Sequence, residues 1–160
     1  MQGFVQIPPA DKAARFCWQI THSSGHGLTQ CLVSLDLAEG EQAVEIVRVY
    51  TGADGESHFA DMTIDLKDQG PMGSISELWR GKGVMFREVS GNYDLDFHTA
   101  PRRQLVVNLT GSVDIEIGDG TVRRLGPGSI LLAEDTTGRG HKSRNVEGQP
   151  RQCLFIPLEG

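Results

Sequence analysis

Positive charge is scarce in this chain: 15 lysines and arginines stand against 21 aspartates and glutamates, a formal net charge of −6 over 160 residues. A nucleic-acid-binding face needs clustered basic residues, and the dense spots here are only Arg102–Arg103 and Arg123–Arg124, too short for a footprint. Nucleic acid is therefore not an expected partner. Long apolar runs are also missing, the longest being a few residues against the ~20 a spanning helix needs. No membrane span or signal-peptide pattern is legible, and no membrane partner is expected. Cysteine is sparse, with Cys17, Cys31 and Cys153 odd in number and without close pairing. That pattern excludes zinc-finger spacing and a disulfide framework, and suits reduced thiols in a cytoplasmic protein. Seven prolines are too few for a proline-rich linker, and 38% hydrophobic with 22% charged residues excludes global disorder.

What the chain does have is glycine, 20 of them, and short alternating runs between them. Many tight turns favour short strands over long helices. A length of 160 residues suits one domain able to close a hydrophobic core. The organisation changes near residue 44, dividing the chain into an N-terminal extension (1–43) and a barrel domain (44–160). Candidate strands are Glu45–Thr51, Phe59–Leu66, Gly83–Val89, Arg103–Thr110, Ser112–Ile117, Thr121–Leu125, Ser129–Ala133 and Gln152–Pro157. Gly111 reads as the break in a hairpin spanning 105–117, and Gly118-Asp-Gly120 and Gly126-Pro-Gly128 read as turns. Strands this short and regular argue for an all-β sandwich or barrel.

The first 43 residues pattern more weakly: a short helix over 10–20 capped by Asp11, a polar turn, then a strand over 28–37. They are either a covering segment or the product of a mis-assigned start. Glu39-Gly40-Glu41 can be encoded by GAAGGAGA, a bacterial ribosome-binding string, with a GTG codon for Val44 as the true start. The codons at 39–41 and 44 decide this.

Five histidines are the first candidates for chemistry. His22 and His26 have a helical offset, but the intervening Ser23, Ser24 and Gly25 are poor helix formers and no third ligand is near. His58 starts a strand and reads as a rim residue. His98 and His141 sit in two longer patterns. The first runs Gly91-Asn-Tyr-Asp-Leu-Asp-Phe-His98-Thr-Ala100-Pro-Arg-Arg-Gln104 and on to Gly111; the second is Gly138-Arg-Gly-His141-Lys-Ser-Arg-Asn145.

These two segments, in this order, resemble the paired motifs of the cupin superfamily over roughly residues 45 to 157. The resemblance implies an RmlC-like jelly-roll, that is, a double-stranded β-helix barrel whose two motif strands converge on one metal. His98 fits the first histidine, Ala100 stands where the second belongs, and Gln104 replaces the family's acid. Thr136 replaces a proline in the second motif, where His141 and Asn145 fit. The implied ligands are then His98, Gln104 and His141 for a divalent transition ion (Fe, Mn, Ni, Cu or Zn), one imidazole and one negative charge short of the usual set. Glu134, Asp135 or Glu88 could supply the missing carboxylate. His98 also reads as a strand cap, and His141 as a hydrogen-bonded turn residue.

On the strand after His98, Leu105, Val107 and Leu109 share one face while Gln104, Val106 and Asn108 share the other. The family register turns the amide face to the cavity and the aliphatic face outward, to be covered by another segment or a second subunit; the resemblance implies a homodimer. Further pocket candidates are Arg87, Glu88, Tyr93, Asp94, Asp96, Arg102, Arg103 and Glu134, the arginines being able to hold a carboxylate in bidentate fashion.

Three functions follow from these residues. One is a metal-dependent small-molecule enzyme of oxygenase, isomerase or lyase type. A second is a non-catalytic ligand-binding or sensing barrel without metal, favoured by Ala100 and Gln104. The third is a metal-free enzyme using His98 or His141 as general base, oriented by Asp96 or Glu134.

Overall fold

A computed structural model describes residues 43–159. The expected helix over 10–20, the strand over 28–37, and Cys17, His22, His26 and Cys31 lie outside the described residues.

The alternating runs become twelve strands and one 3-10 turn at Gly70–Met72. In chain order the strands are β1 (Ala43–Thr51), β2 (Ser57–Asp65), β3 (Lys67–Asp68), β4 (Ser74–Ile75), β5 (Met85–Val89), β6 (Asp94–His98), β7 (Gln104–Thr110), β8 (Val113–Glu116), β9 (Val122–Leu125), β10 (Ile130–Glu134), β11 (His141–Asn145) and β12 (Arg151–Pro157). A six-stranded sheet has the order β2-β1-β10-β7-β12-β5, and a four-stranded sheet the order β6-β11-β8-β9. From β5 to β12 the chain changes sheet at every step but one, the β8–β9 hairpin. That path is a jelly-roll double-stranded β-helix.

Local chemistry sets the corners. The β8–β9 hairpin closes through Gly120, at φ 86, whose amide donates to the Ile117 carbonyl. Between β9 and β10, Gly126-Pro-Gly128 places proline at the second and glycine, at φ 83, at the third position of a turn closed by Ser129 N–H to the Gly126 carbonyl; this is type II turn chemistry. The hairpin expected around Gly111 is corrected: β7 and β8 lie in different sheets, and Gly111, at φ 66, turns the chain across the barrel. Its alternation was read properly, but alternation alone does not say whether the next strand pairs or crosses over.

The core lies between the sheets, where Val49, Val113, Ile115, Leu125, Leu131 and Ala133 are buried together. Along β10, Leu131 and Ala133 enter that core while Ile130 and Leu132 face the other way. The run is continuously apolar because both faces are covered. On the outer face Leu132, 1% exposed, clusters with Ile46, Leu158, Leu105 and Trp79. The outward aliphatic face of β7 is thus covered in part by the chain's own Trp79, while Leu109 stays 45% exposed.

Candidate functional site

A cavity of about 230 Å³ opens between the sheets. Its body is apolar, from Val106, Val113, Ile115, Leu125 and Leu131, and its polar wall carries His98, Gln104, Asn108, His141 and Ser143. His98 ends β6, His141 begins β11, and the two are direct cross-strand partners with ring centroids 4.6 Å apart. Two local features bring them together. Gly140, at φ 78, packs so closely that a Cβ there would sit 2.0 Å from the His98 carbonyl oxygen, so only glycine fits. The β6–β11 register also shifts, pairing His98 with His141 but Leu95 with Ser143. The extra residue on β6 lets His98 and Leu95, three apart, both line the cavity.

Each imidazole has one nitrogen committed. The His98 Nδ1–H donates to the Asp96 backbone carbonyl at 2.9 Å, and the His141 Nδ1–H to Asp135 Oδ2 at 2.6 Å. Because both acceptors lack a proton to give, Nδ1 must carry the hydrogen in each ring, and Nε2 is left as the acceptor of the neutral imidazole. Burial, with the charge of Arg87 nearby, pushes the His98 pKa below its ordinary value, against the pull of the Asp96 carbonyl and Asp135. His98 is therefore neutral at pH 7.

Asp135 follows β10 and is wholly buried. Its Oδ2 also accepts a hydrogen bond from Ser57 Oγ at 2.9 Å, its Oδ1 has no partner, and its backbone carbonyl accepts from Ala100 N–H. Gln104 is 3% exposed and its Oε1 is likewise buried without a partner. The order of the two sheets sets β6 and β11 side by side, with their histidines facing one cavity.

The fold is a double-stranded β-helix jelly roll, the type of barrel that the two sequence motifs imply.

No family model matches the chain, and no curated protein matches it. Among solved structures it is similar to a conserved protein of unknown function from Streptococcus pyogenes (15% identity, TM-score 0.39, covering 53% of this chain and 70% of that one). It is similar also to a protein from Neisseria meningitidis (19%, 0.38, 53% and 89%), and to the Schizosaccharomyces pombe Cnp3 cupin domain (7%, 0.38, 73% and 84%). Strand order and register, rather than these distant likenesses, fix the fold.

In the barrel, Arg87, Tyr93, Val106 and Asn108 line the cavity together with His98, Gln104 and His141. Glu88, Asp96 and Glu134 do not. The Glu88 carboxylate accepts from Gln152 Nε2 at 2.9 Å, Asp96 is exposed with Lys142 at 3.5 Å, and Glu134 sits between Arg48 and Arg103, each at 2.5 Å. The expectation that Asp96 or Glu134 orients a histidine is corrected: Asp135 orients His141. Glu134 shares the outward face of β10 with Leu132, so the residue after it turns inward. Ser57, Ser143 and Arg151 were not foreseen as site residues. The inward parity of Arg151, Cys153 and Phe155 on β12 is the signal that would have found Arg151.

The donor set does not fit a tightly held resident metal. Two imidazoles and one neutral amide are available, and the buried carboxylate is committed to His141 and Ser57. Among the described residues no three His, Cys, Asp or Glu side chains come together as a ligand group. Among the described residues no Asp or Glu lines the cavity, whereas Arg87, Arg102 and Arg151 do. A divalent cation would add charge to an already cationic wall, and an uncompensated charge in a desolvated space is costly.

Proposed function

We propose that this chain is a cupin-type small-molecule-binding protein whose reactive group is His141, acting as a proton acceptor in metal-free isomerase- or lyase-type chemistry. The observation that carries the reading is the hydrogen bond at 2.6 Å that His141 Nδ1–H donates to Asp135, a carboxylate with no exposure, while among the described residues the other ring nitrogen is uncommitted. Asp135 fixes the tautomer and ring plane, so that Nε2 is the basic atom, and stabilises the imidazolium formed when that atom takes a proton. Ser57 holds the carboxylate in place through the same oxygen. His98, neutral and 4.6 Å away between ring centroids, adds no charge to oppose protonation of its neighbour. The Gln104 amide, on the same wall, is placed to orient a substrate oxygen.

A second reading keeps His98, Gln104 and His141 as ligands of a divalent transition metal. It is favoured by the two committed Nδ1 atoms, since outer groups hold metal-binding imidazoles in this way. Elemental analysis of protein purified without chelator separates the two, together with a search for deuterium uptake from D2O into small 2-oxo acids and sugars. The first reading expects metal well below one equivalent and a wash-in reaction abolished in His141→Ala. A near-stoichiometric transition metal, lost in both His98→Ala and His141→Ala, would overturn it. A cavity that binds ligands without wash-in would leave a non-catalytic sensing barrel.

A further inference from the structure

Of the ten arginines among the described residues, the exposed Arg80 neither lines the cavity nor has a carboxylate within ion-pair distance, and the other nine divide into two groups. Arg48, Arg103, Arg123, Arg124, Arg139 and Arg144 each have a carboxylate within ion-pair distance, and none of them lines the cavity. Arg87, Arg102 and Arg151 line the cavity, and among the described residues none of them has such a partner.

Arg151 is the unusual one. It is 3% exposed, yet its side-chain partners are neutral amides: Nη1 donates to Asn108 Oδ1 at 2.8 Å and Nε to Asn145 Oδ1 at 3.2 Å. Asn108 is itself held by donating Nδ2–H to the Leu125 carbonyl at 2.8 Å. A guanidinium has five N–H donors in a fixed fork, so this bracing sets the plane and leaves donors over. Cys153, an ionisable neighbour that could offset the charge, has its thiol pKa pushed up by burial, away from the charged form.

Arg87 comes from β5, paired with β12 so that it faces Cys153, two residues from Arg151. The pair is therefore a diagonal neighbour on one sheet face, roughly 7–8 Å apart at the backbone. Arg87 is exposed and stacks on Tyr93, 5.2 Å from the ring centroid, and on Phe155, 5.4 Å. One guanidinium is buried and braced, the other stands at the rim held by aromatic faces, and nothing in the cavity wall neutralises either.

We propose that Arg87 and Arg151 form a subsite for the carboxylate of a small organic acid with an apolar body. The charge follows from two like-charged forks without a counter-ion, a geometry that carboxylate oxygens match in bidentate fashion. The apolar body follows from the wall of Val106, Val113, Ile115 and Leu131. The size follows from the cavity, whose 230 Å³ equals about eight waters of liquid volume. Gln104 and Asn108 face this space four residues apart on β7, roughly 13 Å along the strand. The acid end of the ligand is thus held near Asn108 and its far end lies toward the histidines. This inference rests on the small-molecule-binding reading but not on proton transfer by His141.

The test compares butyrate and hexanoate with their neutral amides by calorimetry and by NMR of the His98 and His141 ring protons, at low salt. The acids should bind at least tenfold more tightly than the amides. Arg87→Gln, at the rim where folding is not at stake, should abolish at least tenfold of that preference, as should Arg151→Gln if it folds. His141→Ala should retain the preference, which separates this subsite from the chemistry proposed above. Acids that bind no better than amides, or a preference unchanged in Arg87→Gln, overturn the proposal. No binding of either series at millimolar concentration overturns it as well. Inorganic phosphate competing more strongly than butyrate would replace the carboxylate assignment with a phosphate one.

Discussion

Asp135→Ala tests the organisation of the site most directly. The carboxylate accepts from His141 Nδ1 and Ser57 Oγ, and all three side chains are buried. Truncation strands two donors, each costing about 1–3 kcal/mol when buried and unsatisfied. Opposing this, the wild type carries a buried charge and an orphaned Oδ1, whose removal returns a similar amount for one group. The balance is a loss of about 1–3 kcal/mol, read by urea unfolding at neutral pH. Asp135→Asn should lose less, because the amide keeps one acceptor oxygen and removes the charge. The companion measurement is 15N NMR of the imidazoles: wild-type His141 should be held as the Nδ1–H tautomer, and the alanine variant should exchange between tautomers. An alanine variant as stable as wild type, with unchanged His141 nitrogen shifts, would refute the reasoning.

Two other substitutions probe neighbouring elements. Gly140→Ala adds the left-handed backbone cost of about 1–2 kcal/mol to a Cβ placed 2.0 Å from the His98 carbonyl oxygen, so denaturation should show a loss above about 2 kcal/mol and displaced histidine resonances. Gly120→Ala, at φ 86 with nothing within 4 Å of the added carbon, should show the backbone cost alone. The third prediction concerns pH. Burial lowers the His98 pKa in the fold, so the unfolded chain binds the proton more readily and stability falls as pH drops below about 6.5. His98→Asn should flatten the unfolding midpoint across that window. Glu134 acts lower: burial opposes its charge, but the hydrogen bonds from Arg103 and Arg48 hold its pKa below the ordinary value. Its contribution persists above about 4.5 and is lost only as pH falls through the carboxylate range.

The strands most legible in the sequence were those rich in buried aliphatic residues, such as β1 and β10. Four strands were missed: β3 and β4 are only two residues each, and β6 and β11 carry the histidines. Asp94-Leu-Asp-Phe-His98 contains a bulge that breaks its alternation, and His141-Lys-Ser-Arg-Asn145 turns polar residues inward because a cavity, not a core, lies beneath them. The motif resemblance located His98, Gln104 and His141 where alternation could not. It offered Asp135 only as one substitute carboxylate beside Glu134 and Glu88 and did not locate Arg151, since neither occupies a motif position and their roles depend on which way a strand end faces. Glu134 and Asp135 show how fine that distinction is: one residue separates an outer ion pair from the carboxylate behind His141.

The path of the chain between sheets has a consequence for how the protein reaches its native state. Gly140 meets His98, β12 closes against β5, and Asn145, Arg151 and Asn108 interlock only after strands distant in sequence have paired. Such non-local pairing folds slowly, in milliseconds to seconds, because chain closure precedes most of the contacts that reward it. The wall of the cavity is therefore among the last things to form, and no shorter stretch of the barrel contains it. Loss of β12 alone would remove the braced guanidinium and expose the edge of β7. During synthesis the barrel can therefore acquire a binding-competent interior only after Pro157 has left the ribosome.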